Sequence, residues 1–315
     1  MIVDANMAAE LLPEVPADAN KYSRGSVLVV GGSARYTGAP LLAALASARA
    51  GAGYTSAMVP RCMELAARAH LLSIPVMCPD ASDSQQLEPG PAIDAISQMS
   101  HLDCIVLGPG MGASPSTARL CELVLERVGA TVVADADALN CISGLHLPHG
   151  PECNSVMEVL RAREGRCILT PHDGELGRLA KAAGIVDTGI DRREVAARLS
   201  AELGCVVVAK GSITHVLEGD DCRTYSGGTP ALAKAGMGDV LAGMVGAFAA
   251  MGLAPRDASS LAVFAHGLAG NLAAQKLGVL SVMAEDVLDF IPAALSQLEC
   301  ARQSSTDNAM GNRAG

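Results

Sequence analysis

The residues best suited to chemistry lie in one glycine-rich stretch in the last third of the chain, around Gly236, Gly238 and Asp239. Glycine adopts positive φ without steric cost and, having no side chain, lets a ligand approach the backbone closely. An apolar run starts at Val240 and predicts a helix whose first turn carries unpaired N–H groups and the positive end of the helix dipole. This combination is typical of an anion site, above all one for phosphate.

Asp239 follows directly on this turn, where its carboxylate can face a ligand held above the amides. A carboxylate beside bound phosphate is electrostatically unfavourable unless it accepts a proton or holds a metal. We therefore interpret Asp239 as a general base aimed at a hydroxyl that meets a phosphoryl group. The plainer alternative is that the glycines only make a turn and that Asp239 is the helix N-cap. A Gly-x-Gly-Asp pattern without further motifs would favour that alternative, so the other motifs of the chain decide between the two interpretations.

Length and composition limit the kind of protein that can hold these residues. The chain has 315 residues, half of them hydrophobic, and only 2% are aromatic. A core filled by Ala, Leu, Val, Ile and Met suits a parallel sheet covered by Ala-rich helices. The formal net charge of −10 argues against nucleic acid or an anionic membrane as the main partner. It does not argue against an anionic small molecule, since backbone amides bind phosphate whatever the net charge.

The cysteines and the N-terminal residues indicate the cellular compartment of the protein. Ten cysteines are scattered without a CxxC pair or zinc spacing, which favours reduced thiols and a cytoplasmic location. Cys141, His146, His149 and Cys153 fit no standard metal pattern, so we expect a surface loop over 141–165 and assign it no function. The acidic N-terminus predicts no secretory signal, and no apolar run reaches membrane-spanning length.

Strands that end at turns or polar residues alternate with helices along the chain. Apolar runs predict strands at 26–30, 54–59, 104–107, 131–134, 167–169 and 206–209, and a hairpin from strands at 215–217 and 223–225. Helices are predicted at 41–50, 62–70, 258–275 and from 284 onward, besides the helix that Asp239 begins, while 75–91 reads as a surface loop. This alternation predicts an α/β fold with a doubly wound, mostly parallel sheet and helices on both faces.

We see no internal repeat and no linker that would divide the chain. We expect a lead-in over 1–25, a single catalytic domain over 26–300, and a disordered tail over 301–315.

Other glycine-rich or polar segments follow the predicted strands. Gly110 and Gly112 come just after the strand at 104–107, where open α/β sheets place ligands, although a plain tight turn explains them equally well. Gly31 and Gly32 follow the first strand, but the pattern is not GxGxxG, so a dinucleotide fingerprint is not supported. The segment 170–175 has the proline and the acids of a helix start.

Taken together, six segments resemble, in this order, the ADP- or ATP-dependent NAD(P)H-hydrate dehydratases of the ribokinase-like superfamily. They are GGSARYTGAP, VLGPGMG, VVADADALN, ILTPHDGEL, VVVAKGSIT and AKAGMGDVLAGM, spread over about 26–275. The resemblance implies a ribokinase-like fold and the repair of the S-form of hydrated NADH or NADPH (NADHX or NADPHX). In that reaction ADP or ATP passes its terminal phosphoryl group to the hydroxyl on C6 of the damaged ring. Phosphate then leaves with AMP or ADP as the other product, and NAD(P)H is restored.

The resemblance also implies roles for individual residues. Asp239 would be the catalytic base and would contact the hydrated dinucleotide together with Ala39, Gly110, Gly112 and His172. The adenine nucleotide would bind Lys210, Gly211, Ser212, Ile213, Thr214 and Gly238. The anion hole would be Ala235, Gly236, Met237 and Gly238. Glu175 resembles the acidic position through which related kinases influence Mg²⁺, acting through water. The simpler alternatives are a helix cap for His172 and a surface lysine for Lys210.

Two further expectations follow from the resemblance. With some 25 residues before the first strand, we expect a monofunctional form that works with a separate NAD(P)HX epimerase. A homo-oligomer, namely a tetramer, is expected. Two other functions stay open: a ribokinase-like kinase for a small vitamin-precursor alcohol, and a non-catalytic nucleotide sensor, which would have no need of a base at Asp239.

Overall fold

The computed structural model describes residues 1–80, 84–145, 155–163, 166–185, 189 and 191–311. Within them the strands are β1 (Ser26–Val30), β2 (Tyr54–Met58), β3 (Val76–Met77), β4 (Cys104–Leu107), β5 (Thr131–Ala134), β6 (Cys167–Leu169), β7 (Val206–Ala209), β8 (Thr214–Glu218) and β9 (Asp221–Tyr225). They form one sheet in the order β3-β2-β1-β4-β5-β6-β7-β8-β9. Strands β1 to β7 are parallel, and the β8–β9 hairpin adds two antiparallel strands at the edge.

The helices are α1 (Ala5–Leu11), α2 (Gly38–Arg49), α3 (Glu64–His70), α4 (Pro89–Ser97), α5 (Pro115–Arg127), α6 (Asp137–Ile142), α7 (Ser155–Ala162), α8 (Asp173–Ala182), α9 (Arg192–Leu203), α10 (Met237–Ala250), α11 (Pro255–Leu277) and α12 (Ala284–Gly311). Short 3-10 turns lie at Arg61–Met63 and Pro230–Leu232.

The parallel strands are buried on both faces, as their apolar sequences predict. Along β1, Val27 and Val29 enter one core, and Leu28 and Val30 enter the other. Helices α1, α2, α10, α11 and α12 cover the first face, and α4 to α9 cover the second. The doubly wound α/β prediction is confirmed. The strand order reverses between β1 and β4, and the crevice at such a reversal is the usual ligand site.

Two predicted surface loops contain regular structure. In 75–91 the structure has strand β3 and the start of α4, where Pro89 lies at the first helical position and suits a helix N-terminus. In 141–165 the end of α6 is followed, after 146–154, by α7, and Val156 and Leu160 are each 1% exposed. These two residues lie four apart, so they share one face of the helix, and that face is buried. The nearby glycines and prolines led to the prediction of a loop instead. Residues 146–154, which include His146, His149 and Cys153, lie outside the described residues.

Helix α10 runs beneath the centre of the sheet and packs tightly against its neighbours. A Cβ at Gly243 would collide with the Ala43 carbonyl of α2, and one at Gly246 would collide with the Val106 side chain of β4. The two glycines therefore bring α10 against α2 and the sheet. The N-terminus of α10 lies at the carboxyl ends of the strands, since a Cβ at Gly238 would be 3.8 Å from Oδ2 of Asp135, the residue that follows β5.

Helix α12 continues to Gly311, beyond the domain end expected at 300, and the rest of the predicted tail, 312–315, lies outside the described residues. None of the helices in the described part of the chain is long and apolar enough to cross a membrane.

Candidate active site

The predicted site segments follow five neighbouring parallel strands. The loop 31–40 follows β1, 108–112 follows β4, 135–140 follows β5, 170–175 follows β6 and 210–214 follows β7. Since carboxyl ends of parallel strands meet at one edge of a sheet, the segments gather there although they are far apart in sequence.

The glycine turn before α10 has the geometry of an open anion site. Gly236 is the N-cap of α10 with φ 86° and without a side-chain capping hydrogen bond. A Cβ at Gly236 would lie 2.8 Å from Ala284 Cβ and 2.9 Å from Leu42 Cδ1, so only glycine fits. Asp239 is the third residue of the helix, so the interpretation of Asp239 as the N-cap is wrong. The first amides of α10 are left available to an anion.

Asp239 has the ionisation expected of a base that works near neutral pH. Burial, and then the charge of Asp135, raise its pKa to about 7, against the lowering effect of Lys210. Asp137 and Glu175 raise the pKa further. A base is most useful when its pKa lies near the working pH.

A buried ion pair lies beside this turn. Lys210 Nζ is 2.8 Å from Asp135 Oδ1, and the Thr170 hydroxyl donates to the same oxygen at 2.7 Å. The Asp135 side chain is 3% exposed and that of Lys210 18%, so Lys210 is not a surface lysine. A Cβ at Gly238 would lie 3.2 Å from Lys210 Nζ, which places the ammonium at the α10 turn.

Burial lowers the pKa of Lys210, but Asp135 and Glu175 raise it more, so the net shift is upward and the ammonium stays charged. Sequence reasoning missed roles for Asp135 and Thr170. Their one signal was their place directly after β5 and β6, at the ligand edge of the sheet.

The two glycine-rich loops after β1 and β4 contact each other. The Ser33 hydroxyl donates to the Gly110 carbonyl at 2.8 Å, and a Cβ at Gly110 would lie 3.2 Å from Ala39 Cβ. The Gly112 amide donates to Asp137 Oδ2 at 2.8 Å. The structure therefore brings Ala39, Gly110 and Gly112 together and adds Asp137. Binding of the hydrated dinucleotide by these residues stays a prediction.

Backbone strain marks the loop after β5. Ala136 has φ 49°, the one positive value outside glycine in the described residues. A non-glycine residue in such a conformation costs roughly 1–3 kcal/mol and is common at functional sites. The strain lies between Asp135 and Asp137, the two carboxylates that tie this loop to its neighbours.

His172 and Glu175 form a capping box at the start of α8. The Gly174 amide donates to His172 Nδ1 at 3.0 Å, and the His172 amide donates to Glu175 Oε2 at 2.9 Å. The capping alternative for His172 is thus present in the structure. The side chain of His172 is still 57% exposed, although its Nε2 lies 3.4 Å from Glu175 Oε1. Its role in substrate binding stays a prediction.

The loop over 210–214 presents backbone to solvent. Gly211, Ser212 and Ile213 are exposed, whereas the Thr214 hydroxyl is turned in and donates to the Gly211 carbonyl at 3.2 Å. The Lys210 amide donates to the Pro171 carbonyl at 2.8 Å, which ties the loop to the one after β6. Nucleotide binding by this loop stays a prediction.

The carboxylates near the α10 turn suit Mg²⁺ only if the phosphates of a bound nucleotide supply further ligands. Within the described residues no group of three or more His, Cys, Asp or Glu side chains is arranged to hold a metal ion. Glu175 is buried, its pKa is raised to about 7 by burial first, and both carboxylate oxygens face His172. Mg²⁺ commonly takes one or two carboxylates plus water and substrate phosphates, and the expected role of Glu175 toward Mg²⁺ through water stays a prediction.

Comparison with known proteins assigns the chain to a family. Residues 27–293 match the family model described as NAD(P)H-hydrate dehydratase. The chain is 34% identical to the ADP-dependent (S)-NAD(P)H-hydrate dehydratase of Xanthomonas campestris, over 94% of this chain and 96% of that protein. It is 37% identical to the bifunctional NAD(P)H-hydrate repair enzyme of Moorella thermoacetica, over 91% of this chain and 52% of that protein.

The chain thus spans about half the length of the bifunctional relatives that it matches. Among solved structures, the Bacillus subtilis ADP/ATP-dependent NAD(P)H-hydrate dehydratase, co-crystallised with ATP/Mg²⁺, superposes with a TM-score of 0.77. It is 27% identical and covers 95% of this chain and 98% of its own.

Proposed function

Because the chain belongs to the NAD(P)H-hydrate dehydratase family, we propose that it dehydrates the S-form of NADHX or NADPHX at the expense of ADP or ATP. The observation that carries the proposal is Asp239, a half-buried carboxylate with its pKa raised to about 7, at the open N-terminus of α10. A sensor would need the amides but not such a base. The nucleotide dependence is supported by the ADP-dependent relative and by the neighbour crystallised with ATP/Mg²⁺.

The chemistry runs in two stages. Asp239 takes the proton of the C6 hydroxyl while that oxygen attacks the terminal phosphorus, and the P–O bond to AMP or ADP breaks. The amides of Ala235, Gly236, Met237 and Gly238 stabilise the charge on the phosphoryl oxygens. The C6–O bond then breaks with its electrons leaving on phosphate, the ring nitrogen lone pair compensates, and loss of the C5 proton restores the dihydropyridine. Phosphate is a far better leaving group than hydroxide.

The remaining residues bind and orient the two substrates. Ala39, Gly110, Gly112 and His172 would hold the hydrated dinucleotide. Lys210 to Thr214 and Gly238 would hold the nucleotide, with the Lys210 ammonium available to the phosphates. Mg²⁺ bound with the nucleotide, and held through water by Glu175, would neutralise charge where two polyphosphates approach each other.

The cellular setting follows from the reaction. An enzyme for the S epimer needs a separate epimerase activity to supply that form from the R epimer, and we propose such a pairing in the cytoplasm. The described cysteines are free thiols, which supports a reducing compartment.

We also propose a homo-oligomer, with the tetramer as the expected form. In support, Leu277, Val279, Leu280 and Met283 expose 41–91% of their surface on one short segment. Lys234 holds that segment through hydrogen bonds to the Leu280 and Val282 carbonyls at 2.6 and 2.7 Å. An ordered group of exposed apolar side chains is typical of an association surface.

The direct test mixes the protein and Mg²⁺ with chemically hydrated NADH and either ADP or ATP. We expect the dihydronicotinamide absorbance at about 340 nm to return, together with one equivalent of phosphate. The nucleotide that works better is the donor. A small-molecule kinase would consume nucleotide without releasing phosphate from its product. Failure with both nucleotides, by folded protein that binds them, would refute the dehydratase.

A further inference from the structure

One side chain outside the proposed mechanism, that of Arg192, contacts the loops assigned to both substrates. Arg192 is the first residue of α9, and its side chain is 26% exposed. It points away from its own helix toward the loops that follow β6 and β7.

The first contact is with the proposed nucleotide loop. Arg192 Nη2 donates to the carbonyls of Ala209 and Ile213, the second at 3.1 Å. A Cβ at Gly211 would collide with the guanidinium, so the loop lies directly on it. The middle of this loop is exposed, and Arg192 holds it in addition to the contacts that Lys210 and Thr214 make at its two ends.

The second contact is with the proposed dinucleotide loop. Arg192 Nε lies 2.9 Å from Asp173 Oδ1, and Asp173 is the first residue of α8, directly after His172. Asp173 is 73% exposed, so solvent screens this ion pair and its contribution is modest. One planar group thus connects the two loops, a geometry that a lysine cannot reproduce.

We propose that Arg192 is a positioning residue that couples the two substrate sites, so that each substrate binds more tightly when the other is present. The inference rests on the proposed function, because it places the nucleotide on Lys210–Thr214 and the dinucleotide beside His172. Nucleotide binding fixes the loop, the loop fixes the guanidinium, and the guanidinium fixes Asp173 and the start of α8. By thermodynamic linkage the effect is reciprocal. An exposed ion pair corresponds to a coupling of about two- to fivefold in affinity.

The test uses the product pair AMP and NADH, which bind without turnover. Calorimetric titration of AMP into the wild type is expected to give a dissociation constant about two- to fivefold lower with saturating NADH. In Arg192→Met, AMP should bind more weakly and NADH should no longer change its affinity. Arg193→Met is the matched control, since Arg193 is the exposed next residue of the same helix, and it should behave as the wild type.

Asp173→Asn distinguishes coupling between the two substrate sites from a role of Arg192 that only supports the nucleotide loop. This variant keeps the two contacts of Arg192 with the loop carbonyls, so AMP alone should bind as in the wild type while the effect of NADH is lost. It also decides the matter if Arg192→Met does not fold. Coupling that persists in Asp173→Asn, or AMP and NADH binding independently in the wild type, would overturn the inference and leave the dehydratase standing. Failure of both ligands to bind the wild type would overturn both.

Discussion

At the scale of single residues, the site joins several carboxylates to one ammonium. Asp135 is paired with Lys210, whereas Glu175, which is buried, and Asp239, which is half-buried, each have their pKa raised to about 7. Burial is the largest cause for both, and the Asp135 charge adds to it. Both groups can therefore exchange a proton near neutral pH, and the position of Asp239 at the α10 turn is what assigns it the role of the base.

Asp239→Asn should abolish turnover and leave nucleotide binding nearly intact, because the amide cannot take the hydroxyl proton. General base catalysis contributes about 10²- to 10⁴-fold, so kcat should fall by at least that much. Asp220→Asn, in the exposed β8–β9 turn, is the matched control. Near-normal activity in Asp239→Asn would show that the base is another group.

The pH dependence follows from the same pKa. The base must be ionised, so kcat/KM of the wild type should rise with pH and level off above about 7.

Because the folded pKa of Asp239 lies above its unfolded value, the native state binds the extra proton, and the wild type loses stability as pH rises from about 4 to about 7. Asp239→Asn should therefore be more stable than the wild type at pH above 7, by roughly 1–3 kcal/mol. Denaturant titrations at acidic and alkaline pH measure the difference. An equal difference at both would contradict the assignment.

At the scale of elements, α10 shows how helix packing creates the anion site. Its glycines at 243 and 246 bring the helix against α2 and β4, and Gly236 provides the positive φ of the turn. Gly238 has no such φ requirement, but a side chain there would reach toward Lys210.

Gly238→Ala should keep the fold and lose activity. Alanine favours the helix, but its methyl group would occupy the space above the amides, 3.2 Å from Lys210 Nζ. We expect kcat/KM to fall at least about tenfold. Gly177→Ala in α8 is the matched control, because nothing lies within 4 Å of a Cβ there. It should raise the free energy of unfolding by about 0.5–1 kcal/mol with unchanged activity. Unchanged activity in Gly238→Ala would mean that no ligand approaches this turn.

At the scale of the whole molecule, the exposed apolar segment is separate from the two cores. Leu277, Val279, Leu280 and Met283 lie between α11 and α12, close to the turn before α10 through the contacts of Lys234. An association surface here would lie next to the active site.

Leu280→Glu should disrupt the oligomer without unfolding the subunit, because Leu280 is 91% exposed in the isolated chain. A charge placed in an apolar interface is costly. Light scattering should report a smaller species than the wild type at equal concentration. Leu72→Glu is the control, since Leu72 is also 91% exposed but lies after α3. Equal masses for the wild type and Leu280→Glu would place the interface elsewhere.

Much of the fold was readable because the patterns are local. The six parallel strands predicted from apolar runs, the hairpin and the glycine turn before α10 each depend on a few neighbouring residues, and all are found. Helices α4 and α7 were missed because the glycines and prolines nearby indicate loops. In the folded protein each helix is stabilised by burial of one apolar face, which these local signals do not report. The family could also be read from the sequence, since it depends on ordered motifs.

The site could be read in part. The sequence by itself determined the glycines and Asp239, whose conformational and chemical properties belong to the residue types. It did not determine that Asp135 pairs with Lys210, 75 residues away, or that Arg192 spans two loops. Nor did it determine the pKa of Asp239, which depends on burial and on the charges of Asp135, Lys210, Asp137 and Glu175. Only the tertiary structure decided these, because Coulomb interactions and desolvation depend on distances between groups that the sheet, and not the chain, brings together.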